Sequence, residues 1–305
     1  MFDSAQVILI QLVKMFIYIL IGFCLFKAKL ITEEGSRNIA NLMIYALIPS
    51  VILNSMMVDP TAENVRMVLY SLYGGALAMA VACVISFIFF RKNPIYNFGS
   101  TFSNAGFMGM ALISSALGKQ ALLSVTGFFF VQTVIMWIYN IFLMRKEDEK
   151  PNIKGLFLSP VTISLVVGFI IFFAKIPVPN VLKDCISTMS ACNSPVAMVV
   201  LGVYIGKTKF SEIFTTPKLY LLSAVRLLII PIFTILVLFA VPRDMMLLRT
   251  SMVIAASAPV AVNTAVFSQK AGMDYTLAVK AICLTTIFSI IALPLSLVAA
   301  GAIWG

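Results

Sequence analysis

Apolar runs of about 20 residues recur along almost the whole chain, and they restrict its fold more than any other feature. A helix of that length crosses a hydrocarbon core of about 30 Å. It also pairs its backbone N–H and C=O groups within the segment, as lipid demands. The runs are continuously apolar rather than alternating with period two, which argues against a β-barrel. Composition argues against a soluble fold: 61% of the 305 residues are hydrophobic and 11% charged, where ordinary soluble domains carry roughly 25% charged residues. The chain reads as an all-α polytopic membrane protein without a soluble domain.

About ten spans are expected. The first five cover Val7–Phe26, Ile39–Met57, Val68–Phe90, Tyr96–Leu117 and Leu122–Met144. The second five cover Leu156–Ala174, Ile186–Ile205, Leu219–Val241, Met246–Gln269 and Thr276–Ile303. Between the sets lies the most polar stretch of the chain, which opens with Arg145, Lys146, Glu147, Asp148, Glu149 and Lys150. The organisation is therefore 1–145, a short charged loop 146–155, and 156–305. Lys and Arg number thirteen in the odd-numbered loops against six in the even ones. The positive-inside rule places the odd loops in the cytoplasm and both termini outside, in a cell membrane. The net charge of +10 is thus a topology signal, and no nucleic-acid partner is expected. Met1 to Gln6 carries no basic residue, so a cleaved signal peptide is not expected.

Five spans per half put the halves in opposite orientations, the topology of an inverted repeat. Internal correspondences support it. Pro49 in span two answers Pro195 in span seven, and Gly118 after span four answers Gly272 after span nine. In that register Asn104–Ala105 faces Ala258–Pro259.

Chemistry is restricted by what is missing. The chain has no histidine, which removes HExxH metalloproteases, Ser–His dyads and histidine-ligated metals. No span holds a pair of acids, so an enzyme is not expected, nor is a cofactor. The five cysteines form no close pair and are expected to be buried free thiols.

Two segments depart from plain apolar helix. One is Ser100–Gly109 in span four, with Ser103, Asn104, Gly106 and Gly109; the other is Ala255–Asn263 in span nine, with Ser257, Pro259 and Asn263. Glycine relaxes a helix, and proline removes a donor and clashes with the preceding turn. Unwound backbone at membrane depth is tolerated only inside protein or along a cavity. Helix N-termini exposed by such breaks favour an anion, and Asn104 and Asn263 add uncharged donors. Close helix packing accounts for small residues equally well; the matched positions in the two halves favour a binding site. Asn193, beside Ser194 and Pro195, is a further candidate for lining a cavity or, equally, for an interhelical hydrogen bond, and a kink is expected at Pro49. Lys14 and Arg226 are basic residues inside spans, with no acid at comparable depth. Arg226 lies about 12 Å into its span at 1.5 Å per residue, so both are expected to snorkel toward the interface, the alternative being that one of them supplies positive potential for an anionic substrate.

Asn104–x–Gly106–Phe107–x–Gly109 together with Ala258–Pro259–Val260–Ala261–x–Asn263 resembles the auxin efflux carrier family, which includes plant auxin carriers and bacterial malate or malonate permeases. The resemblance covers essentially the whole chain and extends to Leu293–Pro294–Leu295. It implies a 5+5 inverted repeat with broken, crossing helices four and nine. A transport domain would move like an elevator against a scaffold of spans one, two, six and seven, which also forms a homodimer contact. Ala111 stands where the family usually has proline, leaving Gly106 and Gly109 to unwind the first break.

The resulting expectation is a secondary transporter of a small organic anion, a mono- or dicarboxylate such as malate, malonate or an auxin-like acid. Asn104, Asn263 and backbone amides beside Gly106 and Pro259 would hold it, with Ser103, Ser257 and Asn193 nearby. A proton or sodium ion is the candidate for coupling, although no intramembrane carboxylate offers itself. The alternatives are a channel and a non-transporting receptor for a small anion.

Overall fold

In a computed structural model, residues 2–144, 158–207 and 213–305 are described, and they are overwhelmingly helical. The expected loop 146–155, the start of span six at Leu156 and Lys209 lie outside the described residues. Six helical runs among those described are long and apolar enough to cross a membrane: Glu33–Met56, Ala62–Phe90, Lys119–Asn140, Asn180–Lys207, Pro217–Ala240 and Tyr275–Trp304. Ala105–Leu117 and Pro160–Phe173 are apolar but shorter.

In chain order the helices are α1 (Phe2–Lys27), α2 (Glu33–Leu42), α3 (Ile48–Met56), α4 (Ala62–Phe90), α5 (Pro94–Thr101), α6 (Met110–Leu117) and α7 (Leu123–Leu143). Then follow α8 (Pro160–Phe173), α9 (Asn180–Lys207), α10 (Pro217–Ala224), α11 (Ile230–Val237), α12 (Met246–Ala256), α13 (Asn263–Lys270) and α14 (Tyr275–Trp304). Several starts carry the side-chain caps that unpaired N–H groups require. Thr32 accepts from Gly35 N–H, Thr61 from Asn64, Asn93 from Tyr96 and Asp274 from Leu277. The Thr32 cap explains why span two begins earlier than its apolar run suggests.

Two spans carry a wide π-turn just before a proline. Met43–Leu47 joins α2 to α3 ahead of Pro49, and Val225–Ile229 joins α10 to α11 ahead of Pro231. Proline supplies no N–H and crowds the carbonyl four residues back; the wider turn absorbs both.

Packing sorts the helices into two neighbourhoods. In one, α1 runs along α9, and α3 lies against α8 and α9. Gly22 and Gly202 permit the first contact: a Cβ on Gly22 would strike the Val199 carbonyl, and one on Gly202 the Ile19 carbonyl. In the other, α4 packs on α7, where a Cβ on Gly127 would strike the backbone of Leu72. The Gly127 N–H donates 2.9 Å to Ser71 Oγ across that interface. Helices α11 and α12 pack on this second group, and α14 packs on α11 and α12 and also on α1. Small residues thus provide backbone approach where lipid supplies no hydrophobic drive.

The cysteines do not follow the buried-thiol expectation. All five are free, but only Cys283 is buried; Cys24, Cys185 and Cys192 are exposed on the outer faces of α1 and α9. Lipid is as apolar as a core, so a thiol is tolerated there without burial in protein.

Candidate functional site

The expected spans four and nine are both interrupted. After α5 the chain is extended through Phe102, and a π-turn from Ala105 to Gly109 then leads into α6. After α12 it is non-helical from Ser257 to Val262, and α13 begins at Asn263. The two interruptions meet. Ser103 and Val260 form an antiparallel bridge. Asn104 N–H donates to the Pro259 carbonyl at 2.7 Å, and Ala261 N–H to the Phe102 carbonyl at 3.0 Å. Val260 N–H donates to Thr285 Oγ1 on α14 at 3.1 Å. Donors and acceptors freed by unwinding therefore find partners in each other, as buried backbone must.

Gly106 and Gly109 do not unwind the first helix, contrary to expectation. They lie in the π-turn after the break, and Ala111 is an ordinary buried residue of α6. Pairing with 259–261 holds the break open. Gly109 packs against Ala255, where an added Cβ would meet the Ala255 Cα at 3.4 Å, an ordinary contact.

A cavity of about 450 Å³ lies against the crossing. Ser103, Asn104, Gly106, Phe107, Ala261, Val262 and Asn263 contribute from the two interrupted spans. Phe129, Gln132, Thr133, Met136 and Trp137 line it from α7, and Ile44, Tyr45 and Ile48 from span two. The helices that follow both breaks start beside this space, and in α13 the first-turn N–H groups of Thr264 and Ala265 donate to the Ala261 and Val262 carbonyls at 3.0 Å. Neither is capped by a side chain.

Asn104 is 2% exposed, and neither its carboxamide oxygen nor its nitrogen has a hydrogen-bond partner. A buried amide left unpaired costs free energy on the order of 1–3 kcal/mol. Asn263 is half-buried, with Nδ2 at 3.1 Å from Met136 Sδ, a weak acceptor. Ser103 is held: its Oγ donates to Gln132 Oε1 at 2.8 Å, and Gln132 Nε2 returns 3.1 Å to the Ser103 carbonyl.

Other anticipated residues stand back from the cavity. Pro259 acts through its carbonyl, and Ser257 is buried with its hydroxyl unpaired. Asn193 Nδ2 donates to the Gly106 carbonyl at 3.3 Å, tying α9 to the π-turn. Gly109, Pro259, Ser257 and Asn193 are not among the lining residues.

Arg226 does not snorkel. It is 1% exposed, and its guanidinium donates to the carbonyls of Ser100 (2.9 Å), Thr101 (3.1 Å), Ala258 (3.2 Å) and Ala256. Lys14, by contrast, is exposed on α1. Arg249, near the start of span nine, is buried in α12 and donates to the carbonyls of Phe239 and Val241.

Sequence reasoning missed Gln132, the aromatic wall and the charged mouth. Glu33, Arg37 and Lys207 line the far end of the cavity, with Lys207 Nζ 3.8 Å from Glu33 Oε1. Gln132 was detectable as an amide in the middle of an apolar span. Leu158, Ser159, Gln269 and Tyr275 border the same cavity.

Interrupted helices that meet over a cavity, N-termini toward it, define a membrane transporter. The family profile described as membrane transport protein matches residues 7–155 and 150–297, and the chain belongs to that family, the auxin efflux carriers. No curated protein matches the chain significantly in sequence.

Proposed function

We propose that the protein is a secondary transporter of a small organic anion, working by alternating access with an elevator-like movement. The observation that carries this reading is the unpaired, buried carboxamide of Asn104 beside two uncapped helix N-termini on a cavity of about 450 Å³. Helix N-termini favour negative charge, and the Asn104 nitrogen supplies a donor of the kind a carboxylate requires. The cargo is a mono- or dicarboxylate such as malate, malonate or an auxin-like acid. Asn104 and Asn263 contact it directly, with the backbone beside Gly106.

The chain is organised as two inverted repeats, 1–145 and 156–305, of five spans each. Spans one, two, six and seven form the scaffold of a homodimer in the plasma membrane, and both termini face outward. In that orientation the cavity opens to the cytoplasm through Arg37 and Lys207, whose charges raise the local anion concentration.

Counterflow in proteoliposomes tests the reading. Vesicles preloaded with a panel of carboxylates should accelerate entry of labelled malate, saturably, after ion gradients are dissipated. Flux without saturation would indicate a channel, binding without flux a receptor. No exchange with any carboxylate, from folded protein, removes the organic-anion reading.

A further inference from the structure

Arg226 is not among the residues that line the cavity, yet it sits behind the crossing with both interrupted helices aimed at it. Its four acceptors are the end of α5 (Ser100, Thr101), the end of α12 (Ala256) and Ala258 in the second break. Each helix C-terminus carries roughly half a negative elementary charge. The two together therefore present about one negative charge, which one guanidinium cancels.

Converging carbonyls at broken-helix C-termini are the surroundings in which transporters coordinate sodium. Here those carbonyls are already occupied by a covalently tethered cation. No Asp or Glu is buried among the described residues, so nothing else compensates Arg226. The positive helix ends on the cavity side, at Ala105 and Asn263, keep their charge, because their negative counterparts are neutralised behind them.

We propose that Arg226 is a built-in counter-cation. It is a positioning residue that joins the two half-helix C-termini, occupies the place of a mobile sodium ion, and leaves the crossing with a net preference for anions. The proposal rests on the anion-transport reading above. Its consequence is that exchange of the anion requires no sodium.

Thermal unfolding of the purified full chain in detergent tests the substitution without any substrate, in sodium chloride against choline chloride at equal ionic strength. The wild type is expected to melt at the same temperature in both salts. Arg226→Ala is expected to melt lower in choline and to recover part of the loss in sodium. A sodium-specific stabilisation of the wild type overturns the proposal, as does an Arg226→Ala variant indifferent to sodium.

Arg226→Lys keeps the charge with fewer donors and guards against a variant that merely fails to fold. In malate counterflow it is expected to retain KM with a reduced maximal rate, while Arg226→Met loses about tenfold or more in rate over KM. Equal losses in the Lys and Met variants show that charge is irrelevant and overturn the proposal. Wild-type exchange that stops when sodium is removed overturns it too, but leaves the anion reading intact. Absence of any wild-type carboxylate exchange removes the anion reading and the anion preference drawn from it, whatever the melting shows.

Discussion

The backbone N–H of Asn104 donates to the carbonyl of Pro259 at 2.7 Å, so the first interrupted span is positioned by the second. The bond sets Asn104 at the start of the π-turn beside the cavity, where its carboxamide is buried and finds no protein partner. Main-chain atoms do the holding, and the side chain remains for something else.

Asn104→Ala and Asn263→Ala should each weaken carboxylate affinity by about tenfold, the usual scale for a hydrogen bond to a charged group. Thermal stability should fall little, because neither carboxamide has a strong partner. Concentration dependence of counterflow gives the affinity. Unchanged affinity in both variants removes the site assignment.

Gln132 supports the crossing through two bonds to Ser103, so its loss should be felt as stability before it is felt as affinity. Gln132→Ala is expected to cost about 1–3 kcal/mol. Ser103→Ala should cost less, since the bond from Gln132 to the Ser103 carbonyl survives. Comparing the two melting curves checks the order.

Charge reversal at the mouth, Arg37→Glu with Lys207→Glu, should raise KM for an anion at low ionic strength. The effect should shrink toward that of the wild type at high salt, because exposed charges are screened over about 8–10 Å. A salt-independent change in KM would point to a direct contact or a structural lesion instead.

The proposed orientation predicts a labelling pattern. In a background without the native cysteines, Glu33→Cys should react with an impermeant maleimide only from the cytoplasmic side. A cysteine appended after Gly305 should react only from outside. Labelling of both from one side contradicts opposed placement of these positions.

Gly202→Leu should disrupt the contact of α9 with α1, where even a Cβ collides with the Ile19 carbonyl. Overpacking of this kind costs about 1–3 kcal/mol or more. The variant should elute broadly in size-exclusion chromatography and melt early, whereas substitution at exposed Leu182 on the same helix should not.

Much of this arrangement was legible from residue types. Glycine, proline and asparagine marked both interrupted spans, because those residues punctuate helices wherever they occur. The first break itself was misplaced: Phe102, Ser103 and Asn104 have no glycine or proline among them. Their extended course depends on a partner segment far along the chain, which local propensity does not register. Arg226 was misread for a related reason. Its partners are carbonyl oxygens, present at every residue, so no sequence pattern announces them. The burial of Arg249 is equally silent, since its partners are the carbonyls of Phe239 and Val241. Gln132 could have been found, since an amide in the middle of an apolar run rarely goes unused.

The bridge between Ser103 and Val260 is made by backbone alone, and this bears on how such a molecule can diverge. Gln132, Thr285 and Arg226 brace that frame, whereas the side chains of residues 104, 262 and 263 take no part in it. Those three can therefore vary with cargo while the crossing they sit on persists. A library randomised at those three positions should yield mostly folded proteins with altered preferences, whereas one randomised at 226 should yield mostly losses.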